Sequence, residues 1–487
     1  MFVNRKDELK FLDSLYRSEK KEVLILYGRR RVGKTELVKR FIRGKKAVYF
    51  LADRDGLESN ARRFYREAAE VLNLPEVEVR DFREAFELLK LKAPERLVVV
   101  IDEFSYLLLT DKNASAVFQH VIDEILDEGF FLILSGSIIG LMEGLMEYGN
   151  PLYGRRTAQL KLKPLNFFHV REYFKNSPIE TVVKIYSVTG GVPMYFRLFE
   201  GKNFEEELLK VAFSPTSILY EEPEFILREE LGDVHRYYLI LEAIALGKHR
   251  VSEIANFAGI EAKDMPKYLR TLTSLELVRR EVPVTEPERS KKARYYLNDN
   301  FFTFWFRFVK PNRGKIELGT FEMDWDAFNT YVGRAFEDIA RQFLIELNRA
   351  GKLPFRFTKI GRWWRKGEEI DLVALNEREK KVLFVEVKWK DLSGRKARGV
   401  LKELERKSEL VGLEEWEESY GLVAKKVEGK EKLKKEGWLA WDLEDFESLI
   451  SKATLVTARG DNYDRVLGEA DGQDSQEKGR VPEIKEC

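Results

Sequence analysis

Gly28-Arg29-Arg30-Arg31-Val32-Gly33-Lys34-Thr35-Glu36 follows an apolar run, Val23 to Leu26, and leads into an amphipathic stretch ending at Ile42. Glycines at both ends of such a loop let backbone N–H groups curl around an anion at a helix N-terminus. Lys34 can then reach the outer phosphates of a nucleotide, and the Thr35 hydroxyl can ligate magnesium. About seventy residues downstream, "RLVVVIDEF" ends an apolar run in Asp102 and Glu103. Two acids closing a buried strand are costly unless they face a cleft. Beside a phosphate loop, Asp102 would hold magnesium through water and Glu103 would polarise an attacking water. A third run, "GFFLILSGS", ends in Ser135 and Ser137, and either hydroxyl would lie within reach of a terminal phosphate.

A second constellation lies in "EEIDLVALNEREKKVLFVEVKWK", with Asp371, Glu386 and Lys388 in segments that otherwise read as strands. The charges are either a metal site or the wet face of a sheet. Period-two alternation puts Glu386 and Lys388 on one face and Val385 and Val387 on the other. On adjacent strands Asp371 and Glu386 would converge on one divalent cation, magnesium or manganese, with Lys388 steadying charge that develops on a phosphodiester. Glu337, on an upstream helix-patterned stretch, would add a ligand or an outer contact. Basic and aromatic neighbours, Arg362 to Lys366 and Lys390 to Arg398, suit nucleic acid.

The elements that position these groups follow from hydrophobic period. Strand-like runs alternate with helix-spaced ones such as "FYREAAEVLNL" and "VFQHVIDEIL", as a doubly wound parallel sheet requires. From 161 to 232 the pattern is helical throughout. From His235, three short helices, the second opening at Ser252 and the third near Ala262, precede two strands joined by a basic hairpin. That is the order of a winged helix-turn-helix. Lys263, Lys267 and Arg270 would line its recognition helix, and Arg289, Lys291, Lys292 and Arg294 its wing, both facing DNA. Such modules also dock proteins.

With 487 residues the chain is too long for one core, so modules each burying their own are expected. The divisions are 1–160, 161–232, 233–312, 325–456 and a polar, aperiodic tail over 457–487, expected to be disordered. Charged residues are 34% of the chain and favour Glu and Lys, a balance seen in hyperthermophiles. The lone cysteine, Cys487, excludes an intrachain disulfide and a cysteine zinc cluster. No run is long and apolar enough to span a membrane, and the start lacks a signal peptide's apolar stretch, so a cytoplasmic protein is expected. A net charge of +1 decides nothing about nucleic acid.

The loop, the "DE" pair, "LSGS", "PLYGRR" at Pro151 to Arg156 and "GGVP" at Gly190 to Pro193 together resemble the archaeal ATPase family within the AAA+ and STAND-related P-loop NTPases. The resemblance covers about the first half of the chain and implies ATP and Mg2+ as ligands, a helical lid, and Arg5 near the adenine. It also makes Arg155 and Arg156 candidates for an arginine supplied in trans within a homo-oligomer. The order helix, Asp strand, Glu-x-Lys strand, helix resembles the restriction-endonuclease-like core and matches the C-terminal domain of unknown function often attached to this ATPase. The implied function is an ATPase coupled to DNA binding, with a metal-dependent nuclease as its fullest form; the rival is a STAND-like signalling or scaffold ATPase whose later domains bind proteins.

Overall fold

The computed structural model describes residues 4–458 apart from 94–95, 232–233 and 414, so the expected tail lies, from 459 on, outside the described residues. The chain forms an α/β structure with two five-stranded sheets and a small hairpin. The first sheet is parallel and contains β1 (Glu22–Tyr27), β2 (Ala47–Leu51), β3 (Leu97–Asp102), β4 (Phe130–Gly136) and β5 (Ala158–Lys161), in the order β2-β3-β4-β1-β5. Every residue of β1, β3 and β4 is buried, because helices cover both faces and leave no wet side for alternation. The register sets Leu26 beside Ser135 and Leu51 beside Asp102, so the polar strand ends meet at one edge. This is the edge at which open parallel sheets bind ligands.

Five helices from Phe167 to Glu230 follow. Helices Val234–Ala245, Val251–Ala258 and Met265–Ser274 then lead into the antiparallel pair β6 (Val278–Glu281) and β7 (Arg294–Leu297). The second and third helices begin at Val251 and Met265, where the patterning suggested Ser252 and Ala262. The Glu253 carboxylate accepts the backbone N–H groups of His249 and Arg250 at 3.1 and 3.2 Å, which sets the cap at Arg250. Residues 261–264 close a turn instead, with Asp264 N–H donating to Glu261 O at 2.9 Å, and Pro266 sits in the third helix's first turn.

The second sheet is mixed, order β12-β11-β10-β9-β8, with a 25-residue helix, Trp325–Arg349, packed on it. Its strands are β8 (Lys359–Arg365), β9 (Glu368–Asn376), β10 (Lys381–Leu392), β11 (Glu417–Val427) and β12 (Leu439–Trp441). "RWWR", Arg362 to Arg365, lies in strand β8. Lys366 and Gly367, both at positive φ (50° and 93°), make the two-residue turn that folds it onto β9.

The modules share a core instead of each burying one apart, although two further clusters lie within the second-sheet module. The first sheet has its own apolar clusters, ending at Leu162. From Leu165 to Phe446 one continuous cluster joins the lid helices, the three-helix module, the helix Trp325–Arg349 and strands β9 to β11. "FFTFWFRFV" explains this: Phe301, Phe304 and Trp305 are fully buried, with Phe301 4.7 Å from the Tyr195 ring and Phe304 5.8 Å from Phe213. Rings of this size bury large areas, and here they do so against several modules at once.

Candidate functional site

The loop between β1 and the helix Lys34–Phe41 holds Gly33 at φ 98° and Arg31 at φ 68°. Gly28 is required where it stands, since a Cβ there would lie 2.2 Å from Leu162 O. The Lys34 ammonium is folded back onto the carbonyls of Gly28 (2.8 Å) and Arg29 (3.1 Å). Thr35 Oγ1 donates to Asp102 Oδ2 at 2.7 Å, which brings together the two residues expected on magnesium. Tyr49, on β2 and absent from the sequence reading, donates to the same oxygen at 2.8 Å. Burial, and then the Asp102 charge, raise the Tyr49 phenol's pKa, so it stays a donor. Glu103 is left-handed (φ 53°) and its Oε2 accepts from Ser137 Oγ at 2.6 Å. Ser137 therefore holds the acid next to Asp102, while Ser135 Oγ is buried with no partner among the described residues. A cleft of about 1040 Å³, lined by the loop, Glu36, Glu103, Tyr106 and the lid residues Pro193 to Leu198, opens over this group. Its size, backbone donors and paired hydroxyl and carboxylate fit a nucleotide with one hard divalent ion.

The three loop arginines each reach a carboxylate far along the chain. Arg29 pairs with Asp299, the cap of helix Asn300–Phe304, and lies 5.3 Å from the Phe302 ring centroid. Arg30 pairs with Glu229 at 2.7 Å, and Arg31 with Glu222 at 2.7 Å, both on the lid helix Ile218–Glu230. Burial pushes the Glu222 carboxyl up to about 7, although Arg31 opposes the rise. Arg5 lines the cleft, yet its guanidinium is spent on Val32 O (3.0 Å), Lys163 O (2.6 Å) and Glu8 (2.8 Å). These contacts clamp the loop to the strand end. Arg155 pairs with Asp123 at 2.8 Å and Arg156 donates to Gln159 at 3.0 Å; neither lines the cleft of its own chain.

In the second sheet Asp371, Glu386 and Lys388 do meet. Lys388 Nζ lies 2.8 Å from Glu386 Oε1 and 3.6 Å from Asp371 Oδ2, and Val387 N–H donates to Asp371 Oδ2 at 2.8 Å. Glu386 Oε2 is buried without a hydrogen-bond partner, an oxygen suited to a cation. Burial, and then the Asp371 charge, raise the Glu386 carboxyl; burial works against the Lys388 charge, but Asp371 and Glu386 outweigh it and raise the ammonium. Glu337, expected as a further ligand, is turned to Arg362 at 2.6 Å. Its carboxyl is pushed up to about 8 by burial, against the pull of Arg362. Among the described residues no group of three or more His, Cys, Asp or Glu side chains is arranged to hold a metal. The set present, two carboxylates and a lysine, matches Mg2+ sites that keep waters and substrate oxygens as their other ligands.

Of the residues expected to face DNA, Lys263, Lys267, Arg270, Arg289 and Lys291 are exposed. Lys292 pairs with Glu286 at 2.5 Å. Arg294 stacks 4.6 Å from the Trp364 ring and meets Glu369 at 3.3 Å. The wing is thus docked on the second sheet, where Val284 N–H donates to Arg362 O at 2.8 Å and the Val284 side chain joins the Trp363 cluster. Trp363 and Trp364 are buried in this packing and present no stacking platform.

Residues 2–199 match a family described as an ATPase domain predominantly from Archaea, and residues 305–400 match one described as Archaea bacterial proteins of unknown function. The chain is 42% identical over 450 residues to the uncharacterized protein MJECL04 of Methanocaldococcus jannaschii, covering 92% of this chain and 100% of that one. The uncharacterized ATP-binding protein MJ0423 of the same organism is 59% identical over 46 residues, 9% of this chain and 78% of that protein. Among solved structures, the Walker-type ATPase PABY2304 of Pyrococcus abyssi superimposes with a TM-score of 0.50 at 20% identity, over 63% of this chain and 96% of that one, a likeness of fold. No helix among the described residues is long and apolar enough to cross a membrane.

Proposed function

The chain belongs to the archaeal family that includes the Methanocaldococcus jannaschii relative and carries an archaeal P-loop ATPase domain, and from this premise we propose that it couples ATP hydrolysis to binding and metal-dependent cutting of DNA. The observation that carries the nucleotide half is the meeting of Lys34, Thr35, Asp102 and Glu103 at one sheet edge under a lid. Gly28 to Lys34 would cradle the phosphates, with Thr35 and Asp102 on the magnesium side. Bound Mg2+ would supply charge neutralisation at the outer phosphates. Glu103, oriented by Ser137, takes the role of positioning and polarising water. Arg155 or Arg156, away from the cleft of their own chain, are assigned to a neighbouring subunit's site in a homo-oligomer.

For the second half, the exposed Lys263, Lys267, Arg270, Arg289 and Lys291 form a cationic face on a winged helix-turn-helix that grips phosphates. Asp371, Glu386 and Lys388 make a restriction-endonuclease-like site. There Asp371 and Glu386 would hold a divalent cation, which lowers the pKa of water and polarises the phosphodiester. Lys388 would set its positive charge against the negative charge that develops on the phosphodiester oxygens. A second reading, a signalling ATPase whose later modules bind protein, is favoured by the wing's docking on the second sheet.

The test is cleavage of plasmid and branched DNA with Mg2+ or Mn2+, with and without ATP, for the parent, Asp371→Ala, Glu386→Ala and Lys34→Ala. Cutting lost in both carboxylate variants supports the nuclease. DNA binding without cutting reduces the second site to a grip, and salt-insensitive or absent DNA binding favours the signalling reading. Retained ATPase activity in Lys34→Ala would sink the nucleotide assignment.

A further inference from the structure

Between the hairpin β6–β7, the helix Trp325–Arg349 and the second sheet lies a cavity of about 350 Å³. Most of the charges on its wall are matched. Arg279 holds Asp338 at 3.1 Å, Arg362 holds Glu337 at 2.6 Å, Arg294 holds Glu369 at 3.3 Å, and Lys407 lies 3.5 Å from Glu386. Arg307 and Arg334 also line it, and among the described residues neither is paired with a carboxylate. Arg307 is half-buried, with the Phe308 and Tyr331 rings each 6.0 Å away. Burial, and then the charge of Arg334, lower its pKa, so the two guanidinium groups repel across the cavity.

Arg307 is half-buried and Arg334 exposed, and an anion bound by both would offset their mutual repulsion. The guanidinium fork matches phosphate oxygens in geometry and stays charged throughout the accessible pH range. The volume falls at the lower end of the roughly 300–1,000 Å³ of small-ligand pockets, which suits one nucleotide unit.

We propose that this cavity is a second phosphate site, distinct from the phosphate loop, which takes the terminal phosphate of a nucleotide unit, free or at the end of a strand, with Arg307 and Arg334 as its anchors. Asp371 and Glu386 share the same wall. The identity of the ligand as nucleotide rests on the function proposed above; the anion site itself does not. A strand entering by its end would bring its terminal phosphate to the arginines and a neighbouring linkage towards the carboxylates.

The experiment is a calorimetric titration of full-length Lys34→Ala protein, in which nucleotide binding at the phosphate loop is impaired, in EDTA, which prevents cutting. The probes are dTMP and a ten-nucleotide thymidine strand bearing a phosphate at its 5′ end, its 3′ end or neither. At least one phosphorylated strand should bind roughly ten- to a hundred-fold tighter than the hydroxyl-ended one. Arg307→Gln and Arg334→Gln should each abolish most of that difference, and Arg307→Lys, which keeps the charge and packing, should retain part of it. Equal affinity of phosphorylated and unphosphorylated strands, or a difference that survives both glutamine variants, overturns the proposal. Binding of dTMP as tight as that of the strand identifies a free nucleotide as the ligand; tighter binding of the strand identifies its end. Phosphate-dependent binding with no cleavage under Mg2+ would retire the nuclease and keep this site, and cleavage indifferent to end phosphates and to both arginines would do the reverse.

Discussion

Replacing Glu222 by Gln should remove a pH dependence of stability that its burial creates. The carboxyl lies on the lid helix against Arg31 of the phosphate loop and accepts the Tyr195 hydroxyl at 3.0 Å, and burial lifts it from 4.5 to about 7. Because the folded value lies above the unfolded one, the group favours the folded state fully below about pH 4.5. That contribution is lost as pH rises through about 7. At about 1.4 kcal/mol per pH unit the interval corresponds to about 3 kcal/mol. Glutamine keeps the volume and an acceptor for Tyr195, and Arg31, 22% exposed, can hydrate when its partner is neutral. In a body of this size 3 kcal/mol translates into about 3–6 °C of Tm. Thermal unfolding of parent and Glu222→Gln at half-unit steps from pH 5 to 8 should show the variant gaining that much on the parent across the range. Arg31→Met, by removing the opposing cation, should extend the parent's decline to higher pH. A parent-to-Gln difference in Tm that stays flat from pH 5 to 8 would refute the reasoning.

Glu103→Gln should bind ATP within a few-fold of the parent while hydrolysis falls about 10²–10³-fold, read by equilibrium binding beside steady-state turnover; equal loss of both would argue against its role on water. Gly28→Ala should fail to fold or lose nucleotide binding, because its methyl meets Leu162 O at 2.2 Å in a backbone conformation that L residues avoid, and a parent-like Tm would contradict that geometry. Val284→Ala should loosen the wing from the second sheet by roughly 1–3 kcal/mol, seen as faster proteolysis within 285–293, and unchanged cleavage would show that the docking is held elsewhere.

The chemistry-bearing ends of β1, β3 and β4 were legible because a buried strand that stops at Asp-Glu or Ser-Gly-Ser advertises its edge. The Glu386 and Lys388 pair was legible through period-two spacing. What the loop arginines touch was not, since Glu222, Glu229 and Asp299 lie some two hundred residues away and read locally as ordinary helix charges. Strand β8 was hidden because Arg-Trp-Trp-Arg carries charge where a strand is expected to be apolar, although Lys366-Gly367 was its turn signal. Periodicity reveals that a face is buried and stays silent about what covers it. Hence the docked wing, the arrest of Glu337 by Arg362 and the shared core from Leu165 to Phe446 emerged only in three dimensions.

That shared core has a mechanical meaning. Close-packed interiors transmit strain, and the lid, the three-helix module and the second sheet share such an interior. Its border is a seam of charge: Arg29 to Asp299, Arg30 to Glu229, Arg31 to Glu222 and Lys161 to Glu276 all cross from the first sheet's body to the other. Three of these four cations sit in the loop that curls around phosphate. A rearrangement of that loop would bear first on this seam, and through it on the packed body that carries Asp371 and Glu386.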